Sequence, residues 1–218
     1  MYNRYSQVYI SNIMSDSVFY SEKKGIKIYK ENIFNLDQKK ANAIFDEDFV
    51  CNKFSNNKHP FIKIINSDDA LNKKFYLNIY DEIKKRLNSD FFNCLNFEGV
   101  WLHKTTREIY NADDLPYVPH IDKVRKFKVM VYLNDVDLDC GPLHTLNVDI
   151  SPEIFENKRT NYKEYLDNKV NDYKIENYLP CTGKFGSSIF FDTNIPHFGG
   201  KLSEDKFRKI LRYNFELN

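Results

Sequence analysis

Apolar residues along this chain keep two different rhythms. Leu71, Phe75, Ile79 and Ile83 recur every four residues, and Tyr76, Tyr80 and Leu87 widen the stripe. That spacing predicts one amphipathic helix over residues 68–87, its start capped by Ser67 or Asp68, because the free N–H groups of a first turn need an acceptor. A weaker helical pattern covers 37–49, and short alternating runs at 25–29 and 60–65 read as strands. Beyond residue 96 the rhythm becomes that of strands, at 97–106, 127–133, 186–191 and 208–215, the second closed by the turn signal Asn134-Asp135. A polar section of about 149–180, rich in Asn, Lys, Glu and Tyr, separates two of them. A section that long between core strands reads as a lid or helical insert.

Supporting helices followed by a β-rich half predict a mainly β fold with a double-stranded β-helix (jelly-roll, cupin-like) core. No repeat and no low-complexity linker divides the 218 residues. The expectation is a single domain over 1–218, with support from 1–95 and the core in 96–218. High aromatic content, 16% and mostly Phe and Tyr, suits such a core. The 32 basic and 31 acidic residues nearly cancel, to +1. No overall field therefore draws the chain to nucleic acid or to a membrane. No run approaches a membrane span or a secretion signal, and Cys51, Cys94, Cys140 and Cys181 stand singly. Free thiols in a cytoplasmic protein are the simplest expectation.

Candidate chemistry centres on His120-Ile121-Asp122, His197 and Arg208. On a strand, His and Asp two residues apart point to one face. A second His from a distant strand would complete two imidazoles and one carboxylate on one side of a metal, leaving three positions open. That set points to non-haem Fe(II). Arg208 follows His197 by eleven residues and could hold a carboxylate cosubstrate by a two-pronged hydrogen bond.

The order of His120-x-Asp122, Tyr132-Leu133-Asn134-Asp135, Gly141-Pro142-Leu143, Phe190-Phe191-Asp192, His197 and Arg208 resembles that of Fe(II)/2-oxoglutarate-dependent dioxygenases. The phytanoyl-CoA dioxygenase-like branch is the most similar. The resemblance covers roughly residues 97–215. It implies Fe(II) held by His120, Asp122 and His197, 2-oxoglutarate held by Arg208, and O2 as second cosubstrate. It further implies oxidation of a small-molecule C–H with release of succinate and CO2. In the related halogenases the Asp122 position is Gly or Ala, so Asp122 favours hydroxylation. Two departures bear on the pocket. Leu143 is followed by His144-Thr145-Leu146-Asn147, not by the family's apolar run, and position 199, commonly Ser, is Gly.

Several assignments stay open on sequence alone. Arg212 competes with Arg208 for the cosubstrate, since both fall on one face of the last strand; with Arg208 as the clamp, Arg212 would face the same interior, toward substrate, because a buried Arg needs an acidic partner. Tyr110 or Tyr117 could add a hydroxyl to it or pack in the core. Lys123, Arg125, Lys126 and Lys128 read as a solvated strand face, or as an attractor of acidic substrate. His103 and His144 read as structural, or as lining the pocket. The rival function is a cupin-like metal- or ligand-binding jelly roll that does not activate oxygen. Neither substrate nor oligomeric state is legible.

Overall fold

The computed structural model describes residues 25–50, 61–107, 116–148, 155, 158 and 169–217. Strand β1 (Ile26–Tyr29) precedes helix α1 (Gln38–Val50) and strand β2 (Ile62–Asn66). Helices α2 (Ser67–Asn72), α3 (Lys74–Arg86) and α4 (Ser89–Asn93) lead into the long strand β3 (Leu95–Thr106). Then come β4 (Lys126–Tyr132), β5 (Leu143–Leu146), β6 (Tyr178–Cys181), β7 (Ser188–Asp192), β8 (His197–Gly199) and β9 (Phe207–Leu217). A six-stranded antiparallel sheet runs β1-β7-β4-β9-β3-β2, and a smaller one runs β6-β5-β8. The two sheets and their helical backing form the expected mainly β double-stranded β-helix. Among the described residues, no helix is long and apolar enough to cross a membrane.

Alternation along the central strands explains the layering. Phe127, Val129 and Val131 of β4 and Leu211, Tyr213 and Phe215 of β9 share a core with Phe45, Tyr76, Ile79, Ile83 and Phe91 of the helices. Residues of opposite parity, Met130, Tyr132 and Ile210, join Leu143, Cys181, Ile189 and Phe191 in a second cluster. The large sheet is therefore covered on both sides, and every residue of β4 after Lys126 is buried. A bulge in β3 keeps that strand in step. Its register slips between Phe97 and Gly99, so Phe97, Val100 and Leu102 all meet the helical core. Trp101, His103 and Thr105 take the opposite side. Gly99 has φ +133°, and a Cβ there would stand 2.2 Å from the Ile65 carbonyl oxygen.

The single helix expected over 68–87 is two. Lys73 is extended (φ −99°, ψ 114°) and separates α2 from α3. The four-residue rhythm hides this break, because Asn72-Lys73-Lys74 is polar whether helical or not. The cap is Asn66, one residue before the expected ones; its side chain accepts from the Asp69 N–H. Lys84, Lys85 and Arg86 end α3, where cations suit the negative end of the helix dipole. Cys94, Cys140 and Cys181 are free thiols; Cys51 lies outside the described residues.

Candidate metal centre

His120 is not in a strand of its own. It forms an isolated antiparallel bridge with His197 of β8. The pair exchanges both backbone hydrogen bonds, His120 N–H to His197 O at 3.0 Å and His197 N–H to His120 O at 2.9 Å. Asp122 follows in irregular chain, its N–H donating to Thr193 O at 3.4 Å. The strand expected through His120 and Asp122 thus shrinks to two isolated bridges at His120, to Lys169 and to His197, in part because Pro119 has no N–H to extend the ladder. The side chains converge all the same. His120 Nε2 is 3.8 Å and His197 Nε2 3.6 Å from Asp122 Oδ1. One ligand atom from each of the three lies within 4.8 Å of the others. With metal–ligand bonds of about 2.1 Å, neighbouring ligand atoms sit about 3.0–3.4 Å apart. The two histidine–carboxylate distances exceed that by a few tenths of an ångström, and the widest separation, up to 4.8 Å, by about 1.4 Å, so the side chains must draw in to share one ion.

Each imidazole is oriented from behind. Nδ1 of His120 is 2.8 Å from Val118 O, and Nδ1 of His197 is 2.8 Å from Ile195 O. A carbonyl only accepts, so each Nδ1 carries the proton and each Nε2 offers its lone pair to the centre. Burial lowers the pKa of His120, and burial together with the His120 ring lowers that of His197 to about 3. Both rings are neutral near pH 7, the form a metal needs. Burial pushes Asp122 up, but Lys128, His197 and His120 outweigh it and hold the carboxyl well below the usual range.

Lys128 corrects the reading of residues 123–128 as a solvated face. Its ammonium is buried and ion-paired with Asp122, and burial draws its pKa down to about 8 against the pull of Asp122. Arg125 grips the buried Asp192 through Nε and Nη2, at 2.9 and 2.6 Å, and Lys126 pairs with Glu98. Only Lys123 of the four is exposed. Both faces of β4 are covered, so its basic residues must find acids.

Arg208 is buried; its Nη1 donates to Gly141 O and its Nε has no partner among the described residues. A Cβ on Gly199 would lie 3.6 Å from Arg208 Nη2 and 3.3 Å from Tyr117 Cδ1. Tyr117 therefore fills the space beside position 199, next to Arg208. Arg212 stands elsewhere, its guanidinium 4.3 Å above the Trp101 ring. His103, buried, stacks on the same Trp101 at 6.0 Å. Burial, then the charges of Arg212, Arg208 and Lys128, push its pKa far down. His144 is partly buried against Phe198, rings 4.6 Å apart. Tyr110 lies outside the described residues. On sequence Lys128 stands only within a basic run, and Trp101 is not singled out.

No family model matches the chain, and no curated protein does. Solved structures do share its fold. EvdO2 from Micromonospora carbonacea var. aurantiaca, complexed with 2-oxoglutarate, is 13% identical over 91% of this chain and 88% of its own, with a TM-score of 0.58. The non-heme alpha ketoglutarate dependent carbocyclase SnoK from nogalamycin biosynthesis is 11% identical over 90% and 81%, TM-score 0.58. The epimerase SnoN, in complex with Fe3+, alpha ketoglutarate and nogalamycin RO, is 10% identical over 96% and 84%, TM-score 0.57. At such identities the likeness is one of fold.

Proposed function

We propose that this chain is a non-haem Fe(II)/2-oxoglutarate-dependent oxygenase acting on a small molecule. One observation carries the reading: two neutral imidazoles and one carboxylate converge on a point beside a buried guanidinium that has no acidic partner among the described residues. His120, Asp122 and His197 would hold the iron, a ligand set suited to Fe(II) with open positions. Iron, once bound, supplies oxygen activation coupled to decarboxylation of 2-oxoglutarate into succinate and CO2. Arg208 would take the cosubstrate's distal carboxylate in its fork. His197 and Gly199 share one face of β8, roughly 7 Å apart, a span that suits a five-carbon diacid reaching from the ion to Arg208. The Tyr117 ring lies along that span, against Gly199. Tyr110 remains a further candidate for the same carboxylate.

Hydroxylation is the finer reading, since Asp122 keeps the position that a halide would need. The motif order favours the phytanoyl-CoA dioxygenase-like branch. SnoK and SnoN, a carbocyclase and an epimerase of the same fold, show why the product must be determined separately. We take 1–218 as one catalytic unit. The free thiols favour a reducing compartment such as the cytoplasm. The rival cupin-like binder is disfavoured by Arg208, because a buried guanidinium without an anion is unstable and a plain metal binder supplies none. Anaerobic addition of Fe(II) and 2-oxoglutarate to the full chain tests the proposal. A weak visible charge-transfer band is the expected result; a metal-loaded protein without that band overturns it.

A further inference from the structure

The barrel interior holds more positive charge than the metal centre and Arg208 use. On β9, Arg212 pairs with Trp101 on one side and Met130 on the other, so it faces the same interior as Trp101, His103 and Lys128. Its Nε is buried without a hydrogen-bond partner, and so is Nε2 of His103. The acids that act on Arg212 are Asp122 and Glu98. Each already holds an ammonium, Lys128 on Asp122 and Lys126 on Glu98. Among the described residues, Arg208, Arg212, Lys128 and Lys126 are thus set against Asp122 and Glu98, leaving two net positive charges. A divalent ion would raise that to four, and dianionic 2-oxoglutarate would return it to two. Uncompensated buried charge is strongly unfavourable, so a further anion is called for.

2-Oxoglutarate cannot be that anion as well. Arg208 and Arg212 are four residues apart on one strand, about 13 Å, and their guanidiniums have different neighbours, Gly141 for one and Trp101 for the other. Trp101 covers one face of the Arg212 guanidinium, and an anion in the plane of the fork would give its Nε the partner it lacks among the described residues.

We propose that Arg212, stacked on Trp101 and flanked by Lys128 and His103, anchors an acidic group of the primary substrate, a carboxylate or phosphate on a small molecule. This deepens the oxygenase reading and rests on it for what Arg208 binds. The test is thermal unfolding of the full chain without oxygen, with Mn(II) in place of iron. Saturating 2-oxoglutarate should raise the midpoint. Sulfate, standing for phosphate esters, or propionate, standing for carboxylic acids, should raise it further than chloride at equal ionic strength. Whichever acts names the source. Arg212→Met should lose the second increment and keep the first, whereas Arg208→Met should lose the first. Lys128→Met, which cuts anion affinity at least about threefold on the same logic, replaces Arg212→Met should that variant not fold.

The proposal is overturned if neither anion acts on the wild type, or if the replacing variant responds as the wild type does. It is also overturned if Arg212→Met loses the 2-oxoglutarate increment instead, for Arg212 would then be the cosubstrate clamp. A wild type blind to 2-oxoglutarate sinks the oxygenase reading. The anion titration with Mn(II) alone still decides the subsite in that event, by the same variants.

Discussion

Acid should weaken the metal-free protein in a way that can be traced to one ring. His197 is buried among His120, Asp122 and Lys128, and its pKa falls from 6.5 to about 3. Below pH 6.5 the unfolded chain takes up a proton that the folded chain refuses. Stability is therefore lost as pH falls from 6.5 toward about 3. Between pH 7 and pH 5 the loss from this group is about 2 kcal/mol, at about 1.4 kcal/mol per pH unit. Neighbouring charges stay nearly constant in that window. Asp122 titrates below the usual carboxyl range, and Lys128, at about 8, is almost fully protonated by pH 7. His120 and His103 are also lowered and act in the same direction. Comparison with His197→Gln removes their share. Urea unfolding of both proteins, with a chelator, at pH 7 and pH 5 is the assay. The wild type should lose about 2 kcal/mol more than the variant across that interval. Equal losses would refute a neutral, buried His197 whose Nε2 faces the centre.

Three other outcomes follow from the same geometry. Asp122→Ala should abolish succinate formation and weaken Mn(II) binding by about 100-fold or more, measured by metal titration. Arg208→Met should raise the 2-oxoglutarate Kd at least about tenfold, the worth of one charge-assisted hydrogen bond, read from the charge-transfer band. Gly99→Ala should lower stability by about 2–4 kcal/mol in urea, since its φ is +133° and its Cβ would meet the Ile65 carbonyl oxygen at 2.2 Å.

Strong periodicity made the large sheet legible. β4, β7 and β9 fall within two residues of the strands expected at 127–133, 186–191 and 208–215. The strands of the small sheet had no legible bounds. β5, β6 and β8 have only four, four and three residues, too short for alternation to rise above chance, and Pro180 lies inside β6. At the candidate site, residue types and order pointed to His120, Asp122, His197 and Arg208. What sequence could not supply was sidedness. Lys128 looked like one more surface lysine in a basic run, because nothing local announces that both faces of its strand are covered. Trp101 and Arg212 meet only because β3 and β9, a hundred residues apart, pair in one register. That register depends in turn on the one-residue bulge before Gly99.

The reciprocal main-chain bonds between His120 and His197 have a bearing on how such a centre is filled. The two nitrogen donors are held on one side by peptide groups and by Val118 and Ile195 behind the rings, so an ion has only to close the remaining gap. Lys128 meanwhile holds Oδ2 of Asp122, while Oδ1 faces the two imidazoles. Loading can then leave Lys128 where it is, on the carboxylate oxygen turned away from the ion. Divalent ions of similar size should exchange there without unfolding, and the cell's supply of each, more than the protein, would decide which one resides.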